Sequence, residues 1–111
     1  MRRPPGSTLG EFEQLVLLAL VRLGDRAYGV SVADEIGART GREVSLGAVY
    51  KTLERLQAKR YVSSTLGEPT PERGGRRKKF FAIEPAGEDA LRHSLRALRR
   101  MTAGLPSDLR A

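Results

Sequence analysis

Residues 45–57 read Ser45, Leu46, Gly47, Ala48, Val49, Tyr50, Lys51, Thr52, Leu53, Glu54, Arg55, Leu56, Gln57. Ser45 suits an N-cap, because its hydroxyl can accept a backbone N–H left over at a helix start, and no proline follows. The stretch predicts a helix from Leu46. At about 100° per residue, Leu46, Val49, Leu53 and Leu56 share one stripe, which must face a core. Lys51 and Arg55 centre the opposite side, and Gly47 and Ala48 leave its leading end almost without bulk. A helix with an apolar back, a cationic front and a slim tip suits the DNA major groove. An ordinary amphipathic surface helix has the same pattern in isolation, so the neighbouring segments decide.

Upstream, residues 30–40 predict a short helix with Val32, Ala33 and Ile36 inward and Ser31, Asp34, Glu35 and Arg39 outward. Tyr28 and Gly29 form the turn before it, and Gly41 ends it. Four residues, 41–44, then lead to Ser45. Two short helices joined this closely, the second cationic, read as a helix-turn-helix. Downstream, residues 61–66 and 76–83 carry strand chemistry, the latter with Phe80, Phe81 and Ile83. Between them, residues 67–75 hold two prolines and three glycines, so they form a loop. A strand, a basic loop and a second strand after a helix-turn-helix make a β-hairpin wing. The expected class is α+β and mainly helical, a winged helix-turn-helix.

The distribution of charge supports that reading. The 111 residues carry a net +7, yet residues 1–45 balance six arginines against six acids. Residues 46–60 contribute +3, through Lys51, Arg55, Lys59 and Arg60 against Glu54. Residues 68–79 contribute another +3, through Arg73, Arg76, Arg77, Lys78 and Lys79 against Glu68 and Glu72. Six of the seven net charges thus fall on the cationic helix and the wing, a footprint for a polyanion.

At the two ends, other needs appear. Residues 1–8 are a Pro/Gly/Ser leader with two arginines, expected to be mobile. Residues 9–23 predict a first helix that is apolar on every face from Leu15 to Val21, Leu18 included. Such a helix needs cover on more than one side. Either it is the buried centre of a monomer, or a partner chain covers part of it. Pro85 suits the first position of a last helix, Glu88 and Asp89 its start, and Arg99 and Arg100 its end. Leu91, Leu95, Leu98, Thr102 and Leu105 step by 4, 3, 4, 3 along it, a short heptad seam. Together the two stripes favour a homodimer, with residues 85–105 as the dimerisation helix, 9–84 as the winged domain and 106–111 as a tail beyond the ordered part.

Other functions find little support. There is no cysteine, which excludes disulfides and thiolate chemistry. The only histidine, His93, lies between Arg92 and Ser94 and fits a surface or interface position better than a metal or a proton relay. Gly74 and Gly75 lack the following helix of a nucleotide-binding loop. No enzyme, cofactor or metal is expected. The longest apolar run, seven residues, is too short for a membrane span, so no membrane partner is expected and the chain reads as soluble and cytoplasmic.

The order of parts resembles the PadR family of bacterial transcriptional regulators. The matching residues are Tyr28-Gly29, Leu46-Gly47-Ala48-Val49-Tyr50, Leu53-x-Arg55-Leu56, the run from Arg73-Gly74-Gly75-Arg76 through Arg77-Lys78-Lys79-Phe80-Phe81, and Pro85-Ala86-Gly87. The resemblance covers roughly residues 9–103. It implies a homodimeric repressor of the short subfamily, with a single C-terminal helix that dimerises. Two departures stand out. Arg60 occupies a position usually held by glycine, and no tryptophan is present, so aromatic ligand stacking is not carried over.

The reading is a repressor that binds double-stranded DNA at a near-palindromic operator. Lys51 and Arg55 would meet base edges or adjacent phosphates. Ser45, Gly47, Ala48 and Tyr50 would sit at the groove entrance. Arg73, Arg76, Arg77 and Lys78 would grip flanking phosphates or enter the minor groove. By analogy alone, a small-molecule effector would bind at the dimer interface. Two rivals remain, a non-specific DNA- or RNA-binding protein and an interaction domain that has lost DNA binding. The scarcity of aromatics argues against the first, and the charge retained on both reading elements against the second.

Overall fold

The computed structural model describes residues 8–69 and 77–110. Four α-helices and one two-stranded sheet follow in the order α1 (Glu11–Leu23), α2 (Gly29–Thr40), α3 (Leu46–Ala58), β1 (Val62–Pro69), β2 (Arg77–Ile83) and α4 (Pro85–Thr102). Short 3₁₀ turns occupy Gly24–Arg26 and Ser107–Leu109. The fold is mainly helical with a small antiparallel sheet, a winged helix, as the hydrophobic patterning required.

α1 is the hub, packing on α2, α3, β2 and α4. Its Val16 and Leu17 are fully buried, together with Val32 from α2 and Val49, Leu53 and Leu56 from α3. The core nevertheless does not enclose α1. Leu15 and Leu18 stay half-buried and Val21 is 54% exposed. These three and Ile36 of α2 line a groove of about 350 Å³, rimmed by Arg22, Glu35 and Arg39.

Local signals set the helix ends. The Ser45 hydroxyl accepts the Ala48 N–H at 3.1 Å. Gly41 stops α2 with φ +74°, a left-handed conformation that glycine adopts without steric cost. α3 ends in a Schellman motif, with the Tyr61 N–H donating to the Leu56 carbonyl at 3.0 Å and the Arg60 N–H to the Gln57 carbonyl at 2.9 Å. Arg60 sits at the left-handed position of that motif, at φ +65°, the one positive-φ residue other than glycine among those described. The turn thus keeps a glycine conformation with an arginine in it. Arg60→Gly is expected to stabilise the chain by about 0.5–1 kcal/mol, relief of the Cβ clash being partly offset by glycine's greater freedom when unfolded. Thermal denaturation checks this, and an unchanged or lower Tm would contradict it.

Several expectations require correction. Leu46 does not face the core but is 42% exposed, while Thr52 is 5% exposed in its place. The first turn of α3 projects beyond the cover that α1 and α2 provide. β1 runs three residues past the expected end at 66, because the Phe80 ring lies over Gly67 and holds it in the strand; a Cβ there would stand 2.6 Å from Phe80 Cε2. α4 stops at Thr102 and not at 105, with the chain turning at Gly104, φ +80°. The segment after Pro106 is not without structure, since Ser107–Leu109 closes a 3₁₀ turn. Leu91, placed on the seam by its spacing, belongs to the chain's own core at 6% exposure. The N-terminal half of α4 lies on α1, and only its outer half is free to contribute a stripe.

Candidate nucleic-acid interface

α3 presents the face its sequence required. Ser45, Gly47, Ala48, Lys51 and Arg55 are all exposed, and a Cβ on Gly47 would meet nothing within 4 Å. The tip is open as well as slim. Tyr50, expected with them at the groove entrance, is 38% exposed, with its ring lying across Gly29 at the start of α2. Leu46, missed by the periodicity, joins the exposed leading end.

The wing is a hairpin in which Thr65 pairs with Phe80 and Leu66 with Lys79, with an irregularity between Leu66 and Pro69. Arg77 is exposed at its first described residue. Lys78 is half-buried, its Nζ 4.5 Å above the Tyr28 ring, and Lys79 lies 5.6 Å over Phe81. Such contacts hold the two ammonium groups against aromatic faces of the fold. Arg73 and Arg76 lie outside the described residues.

Ion pairing sorts the cations. Arg22 and Arg39 share Glu35, Arg42 reaches Glu11 at 2.9 Å, and Arg92 reaches Asp89 at 2.7 Å. Lys59, counted above with the cationic helix, is spent on Glu13 at 2.9 Å and adds nothing to a reading face. Lys51, Arg55, Arg77, Lys78 and Lys79 have no carboxylate partner among the described residues, and neither do Arg96, Arg99 and Arg100 on α4. Cations on α3 and the wing can turn toward phosphates without breaking an ion pair among the described residues.

The Glu13–Lys59 pair fixes the C-terminal end of α3 to the start of α1. Glu13 is 6% exposed and accepts the Gly10 N–H at 2.8 Å as well as the Lys59 ammonium. Burial alone would raise its carboxyl, but the Gly10 N–H, Lys59 and the more distant Arg55 outweigh it and hold the group below its ordinary range. A carboxyl lowered by folding contributes stability above the unfolded carboxylate range and loses it as pH falls through the folded pKa. Glu13→Gln is therefore expected to cost about 1–3 kcal/mol near neutrality. The gap to wild type should close in acid. Denaturant titrations at several pH values check this, and a gap independent of pH would contradict it.

Among the described residues, no cluster of metal-ligating side chains occurs and no helix is long and apolar enough to cross a membrane. A helix-turn-helix with an open-tipped second helix and a lysine- and arginine-bearing wing defines a protein of the DNA-binding winged-helix class. The chain belongs to the PadR-like family of transcriptional regulators, whose family model matches residues 17–93. Its members are regulators of transcription and not enzymes.

Solved structures agree. A PadR family transcription regulator from Clostridium difficile is 25% identical, with a TM-score of 0.70 over 84% of this chain and 92% of that one. A PadR-like regulator from Bacillus cereus is 19% identical, with a TM-score of 0.67 over 90% and 92%. BpsR of Bordetella bronchiseptica is 21% identical, with a TM-score of 0.65 over 95% and 74%. The latter two show the shared fold. No curated protein matches the sequence.

Proposed function

We propose that the chain is a sequence-specific DNA-binding repressor that acts as a homodimer on a near-palindromic operator in the cytoplasm. The observation that carries this reading is α3, whose open tip and unpaired Lys51 and Arg55 lie on one exposed face. Its apolar back is fixed by Val49, Leu53 and Leu56, so that face is held and not free to roll. Arg77 and Lys78 flank it from the wing, with Arg73 and Arg76 assigned to the same role by sequence. A two-fold dimer would place two recognition helices about one DNA turn, roughly 34 Å, apart.

Unburied apolar surface supports the dimer. Leu95 and Leu105 are each 38% exposed, Leu98 51% and Met101 77%. With the half-buried Thr102, they make an apolar stripe on outer α4 and the turn after it, unpartnered among the described residues. The groove lined by Leu15, Leu18 and Val21 is a second apolar surface, without cover among the described residues. Each stripe is what the other lacks. A small-molecule effector at this interface belongs to the same reading by analogy, since the DNA binding of BpsR is regulated by 6-hydroxynicotinic acid.

Selection of bound duplexes from a random pool tests the reading. Wild type should return one near-palindromic motif, whereas a non-specific nucleic-acid binder would return none. Arg55→Ala should relax preference at one base position per half-site, a loss of about 1–3 kcal/mol there. A variant pool with the wild-type motif at every position would assign Arg55 to a phosphate or to bare surface.

A further inference from the structure

Residues 27–29 lie between the two reading elements and touch both. Toward the wing, the Ala27 carbonyl accepts the Phe81 N–H at 2.8 Å, and Tyr28 pairs with Phe80 as a one-residue third strand. The Phe80 ring meets Tyr28 edge-on at 5.7 Å, and the Lys78 ammonium sits 4.5 Å from the centre of the Tyr28 ring. Toward the recognition helix, Gly29 is buried under Tyr50. A Cβ on Gly29 would stand 2.3 Å from Tyr50 Cζ, 2.4 Å from Oη and 2.8 Å from Cε2. All three contacts are with the outer end of one side chain, so an added methyl must push the Tyr50 phenol off Gly29 or move α2 and α3 apart.

We propose that residues 27–29 fix the recognition helix and the wing to each other, with Gly29 as a positioning residue for sequence recognition. Tyr50 directly precedes Lys51 and lies five residues before Arg55, so parting α2 and α3 at this contact shifts the face that reads bases. Tyr28 does the same for the wing, because it holds Lys78 and, through Phe80, the strand that begins at Arg77. Groove entry by α3 and phosphate contact by the wing must occur together on one duplex. A spacer common to both sets that geometry before DNA arrives, and binding then need not order it. This inference rests on the DNA-binding reading above.

The test is a double-mutant cycle of Gly29→Ala and Tyr50→Ala, read as affinity for the duplex that wild type selects. Tyr50→Ala has its own baseline, because Tyr50 borders the groove. In the wild-type background Gly29→Ala should weaken binding about tenfold or more, and in the Tyr50→Ala background by less than about twofold, since the space is then open. Equal losses in both backgrounds would overturn the positioning role. Circular dichroism and Tm identify a Gly29→Ala chain that fails to fold. In that event Tyr28→Leu carries the test, and it should flatten the fall of affinity with salt as Arg77 and Lys78 lose their fixed positions. An unchanged salt slope in a folded Tyr28→Leu chain would overturn the coupling to the wing. If wild type selects no duplex at all, the DNA-binding reading fails first and takes this inference with it.

Discussion

Gly87→Ala is expected to destabilise the chain by about 1–3 kcal/mol or more, against a helix propensity that alone would favour alanine by nearly 1 kcal/mol. Gly87 lies in the first turn of α4, buried against Tyr61 just before β1 and Ile83 at the end of β2. A Cβ there would stand 2.2 Å from the Tyr61 carbonyl oxygen and 3.0 Å from both the Tyr61 carbonyl carbon and Ile83 Cγ1. Two of these three neighbours are backbone and cannot rotate away. The same Tyr61 carbonyl accepts the Glu84 N–H at 2.9 Å, so lifting α4 also breaks the bond that seats its N-cap. The comparison is Gly47→Ala, where a Cβ meets nothing within 4 Å, and the usual gain of about 0.5–1 kcal/mol from removing a helical glycine should appear. Denaturant unfolding of the two variants beside wild type decides the matter. Equal stability of Gly87→Ala and wild type would mean that α4 is not seated on Tyr61.

Gly87 also marks where sequence reading stops. Pro85 and Glu88 announced the start of α4 through local chemistry, and the helix begins at Pro85. That a carbonyl 26 residues earlier in the chain fills the space beside Gly87 has no local signature. Gly29 is the same case, since its emptiness belongs to Tyr50 on another helix. Lys59 counted as a reading-face cation by proximity in sequence, whereas its partner Glu13 comes from the far end of the domain. Periodicity reports which side of a helix is apolar but not how far the cover extends. Leu46 is consequently exposed although it shares the stripe, and Leu91 is consumed by its own chain although it shares the seam. What was legible was whatever a residue decides with its near neighbours. The Ser45 cap, the Gly41 stop, the wing strands and the cations on α3 all belong to that class.

Leu95→Lys with Leu98→Lys is expected to give a folded monomer that binds the operator weakly. Both leucines lie on outer α4, beyond Ala90 and Leu91, the last α4 residues buried in the chain's own core. Neither substitution removes a core contact, so the winged domain should keep its stability. A loss of dimer is then not confused with a loss of fold. Burying a leucine contributes about 1.5–3 kcal/mol, and Leu95, Leu98, Met101 and Leu105 on each of two chains provide enough to offset the entropy of association. Two lysines in that stripe would place unpaired ammonium groups against Leu15, Leu18 and Val21, among which only the rim residue Glu35 is acidic, and it already holds Arg22 and Arg39. Arg96, Arg99 and Arg100 beside the stripe add like charge, with no acid between Ala90 and Ser107 to relieve it. A monomer has one recognition helix instead of two, and so loses the gain in effective concentration that a two-fold site gives its second half. Sedimentation should show wild type as a dimer at micromolar concentration and the variant as a monomer, with operator affinity falling by about two orders of magnitude or more. A wild-type chain that sediments and binds as a monomer would remove the dimer and, with it, the palindromic operator.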